Sequence, residues 1–163
     1  MKEIVLSLYA MNLSYTRKLV ADVADDQMCA QPVPGRVMNH AAFLLGHLAW
    51  VSDNVSATLA GTTPVLPADW KDTYGRGAVP VIDRSCYRSK ADLLKVLEDA
   101  HARMADAFSK APANVLAQPP PERLRNRFPT TGHVAVAMMT SHGAVHNGQI
   151  SAWRRALGWP PIT

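Results

Sequence analysis

TTGHVAVAMMTSHGAVHNGQISAWRRALGWP, residues 130–160, reads as one long helix. Pro129 precedes it, and Thr130 or Thr131 can serve as its N-cap. Arg154 and Arg155 fall in the last turn, where positive charge suits the helix dipole, and Gly158 followed by Pro160 ends it. His142 and His146 are four residues apart, so both imidazoles project from one side and can reach one metal ion. Met138, Val145, Gln149, Ile150 and Trp153 extend that side at three- and four-residue steps, which turns the histidines inward. A buried histidine wants hydrogen-bond partners or a metal, and spacing alone leaves both open.

Working back toward the N-terminus, residues 2 to about 22 read as a first helix, with Ile4, Leu8, Met11, Tyr15 and Leu19 at helical spacing. Pro32, Pro34 and Gly35 keep the next segment non-helical, and Asn39 is the expected N-cap of a second helix from about His40 to Ala60, closed by Gly61. His40, Phe43, His47, Trp50, Val51 and Asn54 lie along one side of it. His47 sits among large apolar residues and should face inward. Gly46 beside it weakens the helix, which a close approach of another helix would explain. Residues 61–88 form a long connection, broken by Pro64, Pro67, Gly75, Gly77 and Pro80 and pinned by Trp70 and Tyr74. Ser89 caps a third helix whose stripe is Leu93, Leu94, Leu97, Ala100, Met104, Ala107 and Phe108, with His101 as a structural residue. The proline-rich segment 110–129 then leads to the final helix.

Four long helices with almost no strand signal predict an all-α protein, a four-helix bundle with a long crossover connection between the second and third helices. One hundred and sixty-three residues, 48% of them hydrophobic, suit a single domain over 1–163. The net charge of +4 is spread along the chain; its densest cluster, Arg123, Arg125 and Arg127, reads as solvated loop charge, so no nucleic-acid partner is expected. No apolar run approaches a membrane span and no signal peptide is read. Cys29 and Cys86 are far apart without a CxxC motif, as in a reduced cytoplasmic protein. With the second and last helices side by side, His47, His142 and His146 assemble into a site. Three neutral imidazoles leave open positions on a metal, as in catalytic sites.

Two segments resemble the DinB-like, or DinB/YfiT, superfamily. Asn39–Trp50 (NHAAFLLGHLAW) looks like the family segment ending in Gly-His-Leu. His142–Pro160 (HGAVHNGQISAWRRALGWP) looks like its C-terminal HxxxHxGQ segment, followed by an arginine pair and Gly-x-Pro. The resemblance implies a four-helix bundle in which His47, His142 and His146 match the metal ligands. It implies a divalent metal ion as cofactor, Zn or Ni first and Fe or Mn next, and a homodimer. Several relatives are thiol-dependent transferases or isomerases using a low-molecular-weight bacterial thiol. Asn147 departs from the bulkier residue expected there, which would alter the pocket wall.

The expected function is that of a metal-dependent enzyme activating a thiol or water towards a small electrophilic substrate, of thiol transferase, isomerase or hydrolase type. The alternatives are a non-catalytic, stress-related metal or small-ligand binder, or a bundle whose histidines are merely buried. No residue is assigned as catalytic acid or base. Gln149 is a candidate to hydrogen-bond an imidazole. His40 is a candidate fourth ligand or proton shuttle, against the plain alternative of a partly solvated helix-end histidine.

Overall fold

The computed structural model describes residues 1–162, and these are all-α, without a strand among them. The long helices are α1 (Lys2–Val20), α2 (Ala41–Ala60), α4 (Lys90–Lys110) and a final stretch in which α6 (Thr131–Ala137) and α7 (Gly143–Ala156) are joined by a π-helical turn, Met138–His142. Two short helices punctuate the connections, α3 (Trp70–Tyr74) and α5 (Ala113–Leu116).

Local chemistry sets the ends. The Ser89 hydroxyl accepts the Asp92 amide, and that of Thr130 accepts the His133 amide. Gly61 closes α2 at φ 67°, in the left-handed region that suits glycine. The N-cap of α2 is His40 rather than Asn39: its Nδ1 accepts the Phe43 amide.

Contacts between helices give their directions. Lys2 donates to the Ser109 and Ala111 carbonyls while Arg17 pairs with Glu98, so α1 and α4 run antiparallel. Asn12, Thr16 and Leu19 meet Thr140, Asn147 and Arg154 in that order, so α1 runs with the final stretch. His40 packs on Tyr87, just ahead of α4, and Asp53 pairs with Arg103 within it, so α2 and α4 point the same way. The connection 61–89 joins the end of α2 to the start of α4. Fully buried Asp53 ties down its start as well, accepting the Leu66 amide at 2.8 Å and Arg103 Nη2 at 2.7 Å.

Two expected faces are corrected in part, since Leu19, Ile150 and Trp153 are buried as expected. On α1 the inward residues are Val5, Tyr9, Thr16, Leu19 and Val20, while Ile4, Leu8 and Met11 are exposed. That helix carries apolar residues on two stripes, and the one that fits around α4 and α7 is the more polar. On α7, Val145 is 58% exposed and the buried residues are Gly143, Asn147, Ile150, Trp153 and Arg154. Asn147 faces α1, bonded to Thr16 Oγ1 and the Asn12 carbonyl, and is not in the lining of the cavity that opens onto His47 and His142. Arg154 is no simple helix-end charge: it is 1% exposed and donates to Asp22 and to the carbonyls of Leu19 and Pro160. The α4 stripe is as expected, with Leu93, Leu97, Ala100, Met104 and Phe108 buried.

Candidate metal centre

The wide turn at Met138–His142 sets the position of His142. A π turn inserts a residue and leaves carbonyls without their usual helical donors. Side chains supply donors in and around it. Asn12, from α1, gives its amide to the Met139 and Thr140 carbonyls at 3.1 and 2.9 Å. The hydroxyls of Thr140 and Ser141 turn back to the Val136 and Ala137 carbonyls. Gly143 lets Asn12 come this close, since a Cβ there would meet the Asn12 amide nitrogen at 3.0 Å.

His47 is held from its other side. Its Nδ1 donates to the Tyr74 carbonyl at 2.7 Å. Tyr74 ends α3, and its ring lies against Gly46, where any Cβ would overlap it. The close approach that Gly46 permits is thus made by α3, the helix expected around Trp70 and Tyr74, whose two rings are both buried.

His47, His142 and His146 converge as one group that could hold a metal ion. His142 Nε2 lies 3.3 Å from His47 Nε2 and 3.1 Å from His146 Nε2. A carbonyl only accepts, so His47 carries its proton on Nδ1 and presents a bare Nε2 lone pair. His146 Nδ1 likewise faces Gln149 Oε1 at 2.8 Å, and Asn39 donates its amide to that same oxygen. His142 can give one Nε2 proton to one neighbour, never to both, and its buried Nδ1 has no protein partner. Without a cation the Nε2 atoms face one another with more lone pairs than protons. With one, the three neutral imidazoles, two of them oriented by outer hydrogen bonds, are a fitting donor set. Burial, then the neighbouring His146 and His47, pushes His142 down to about 3, and burial lowers His47 and His146 too. All three are therefore kept in the neutral form that binds metals.

Other titratable candidates lie apart from the group. His40 is completely buried, with Nε2 bonded to the Val81 carbonyl at 2.9 Å and Nδ1 occupied by the Phe43 amide. It is neither partly solvated nor free to act as ligand or shuttle. His101 bonds the Tyr9 carbonyl and stacks on the Tyr9 ring at 3.6 Å, a structural role as expected. Cys29 is buried, which pushes its thiol up to about 11, and Cys86 is exposed; both are free.

A cavity of about 220 Å³ opens onto His47 and His142 between Trp50, Val51, Phe128 and Met138, with Arg76, Arg123 and Arg127 in its lining and no Asp or Glu. The arginines were not expected at a site; Arg123 and Arg127, four residues apart, were the only trace of it in the sequence. Larger concavities exist, of about 490 and 820 Å³, but none of the three histidines lines them, so chemistry rather than size marks the site.

The fold and site define the class: an all-α protein with three histidines gathered where a metal ion could bind. A model of the DinB superfamily matches residues 8–150, and the chain belongs to that metal-associated superfamily. A comparison with curated proteins gave no match. No described helix is long and apolar enough to cross a membrane.

Proposed function

We propose that this chain is a divalent-metal-dependent enzyme, with His47, His142 and His146 as ligands, acting on a small electrophilic substrate with a low-molecular-weight thiol or water as nucleophile. The observation that carries this is the convergence of three Nε2 atoms, two of them stripped of protons by the acceptors behind them. A bound Zn or Ni ion, or Fe or Mn, would supply Lewis acidity to the nucleophile and to a polar group of the substrate. The Tyr74 carbonyl and Gln149 would hold the rings in register. Trp50, Val51 and Phe128 would keep the reacting groups away from bulk water.

The scaffold we propose is a single-domain four-helix bundle over 1–163, with 61–89 as its crossover, a reading supported by the common direction of α2 and α4. A cytoplasmic homodimer is part of the same reading, with the exposed Ile4, Leu8 and Met11 stripe of α1 as its candidate face. Sedimentation giving only monomer at micromolar concentration would remove the dimer. One observation favours a second reading, a non-catalytic metal or ligand binder: no carboxylate lines the cavity to serve as general base.

The test begins with elemental mass spectrometry of untagged protein purified without added metal, beside His142→Ala and His146→Ala. Near-stoichiometric metal, lost in both variants, is the expected result. No metal, and no binding of added Zn or Ni, would sink the metal reading. Turnover of thiol and electrophile, or hydrolysis of activated esters, then separates enzyme from binder.

A further inference from the structure

Arg76, Arg123 and Arg127 reach the same cavity from different parts of the chain. Arg76 lies in the connection after α3, Arg123 and Arg127 in the one before α6. Like charges gathered around a small concavity repel one another and focus a positive field into it. Arg17, Arg84, Arg103 and Arg154 each pair with a carboxylate, whereas Arg36, Arg88, Arg125 and Arg155 form no ion pair among the described residues, so what sets Arg76, Arg123 and Arg127 apart is their convergence on one cavity. The three cavity arginines form no ion pair or side-chain hydrogen bond among the described residues, and no acidic side chain lines the space between them. Only Arg127 has a neighbour of note, the Phe128 ring at 5.6 Å. Forked guanidinium groups left without partners are suited to bidentate capture of carboxylate or phosphate oxygens.

We propose that the molecule taken at this site is a small organic anion bearing a carboxylate or phosphate group. The arginines hold its charged end, Trp50 and Phe128 flank an apolar middle, and its reactive end faces His47 and His142. The orientation rests on the metal reading; the anion binding does not.

Calorimetric titration with succinate and with inorganic phosphate tests this, using metal-loaded protein and protein stripped by chelator. The combined variant Arg76→Gln, Arg123→Gln, Arg127→Gln is the probe, and Arg125→Gln, whose residue lies outside the cavity lining, is the control. Metal content is measured on every sample. Saturable binding, weakened at least about tenfold in the triple variant and unchanged in the control, is expected. Succinate or phosphate binding the tighter assigns the charged group as carboxylate or phosphate. Binding that survives chelation upholds the anion site even if the metal reading fails. Equal binding by wild type and triple variant would overturn it, since the metal alone would then be capturing the anion. No binding by fully metal-loaded wild type would overturn it with the metal reading intact.

Discussion

His40 and His47 stand two turns apart at the start of α2, both inward, and their environments are opposite. His40 is finished by the protein: one nitrogen caps the helix and the other meets the Val81 carbonyl. His47 is finished on one nitrogen only, and its other faces two more imidazoles. Burial lowers both from the ordinary histidine value, so burial does not distinguish a structural histidine from a ligand. What the second ring nitrogen faces does: a backbone amide for His40, other imidazoles for His47.

The strongest way to break this contrast is to remove one histidine from each place. His142→Ala should abolish metal binding near one equivalent while leaving the metal-free fold about as stable, since it deletes an orphaned polar group. His40→Ala should do the reverse, keeping full metal content. It leaves the buried Phe43 amide and Val81 carbonyl without their partner, with a cavity beside Tyr87, at a cost of about 3 kcal/mol in denaturant unfolding. Metal loss in His40→Ala would refute the division.

Gly46→Ala comes next. Its Cβ would push Tyr74 aside, and with it the carbonyl that orients His47. Metal affinity should fall about 10- to 100-fold, as when outer hydrogen bonds are lost, with stability lower by about 1–3 kcal/mol. Calorimetry with Zn against chemical denaturation reads both.

Asn12→Ala probes the π turn from a different helix. Loss of its amide exposes the Met139 and Thr140 carbonyls and should cost about 1–2 kcal/mol, with a several-fold weaker metal site as His142 shifts. An unchanged metal affinity would mean that the turn holds itself.

The gentlest perturbation is pH. His40, His47 and His146 lie below 6.5 in the folded protein and His142 falls to about 3, so under acid the unfolded chain binds more protons than the folded one. The contribution of these histidines to the stability of the metal-free protein is then complete above about pH 6.5 and is lost progressively as pH falls toward 3. Bound metal competes with the same protons, so the stabilisation it adds should also shrink over this range. Thermal unfolding across that range, with and without Zn, checks the sign.

Much of this was legible beforehand, for reasons that are local. Helical spacing located the long helices, and Ser89, Thr130 and Gly61 act where their chemistry suggests because caps bond within three or four residues. The pair His142 and His146 shares a side by helix geometry alone, and His47 stood out by its apolar neighbours. The resemblance in Asn39–Trp50 and His142–Pro160 tied the two segments together.

What escaped the sequence depends on partners far along the chain. Periodicity on α1 offers more than one stripe, and only packing against α4 and α7 chooses Val5–Tyr9–Thr16–Leu19 over Ile4–Leu8–Met11. Asn12 supports a turn more than 120 residues away, and nothing beside it announces that bond. Arg76 joins Arg123 and Arg127 only because two connections end at one cavity. The helices, their ends and the histidines able to act together can be read along the chain, since they follow from backbone geometry over a few residues. Which faces are buried, which histidine nitrogens remain free and where unpaired charge collects are fixed only on folding, since each depends on groups that meet only then.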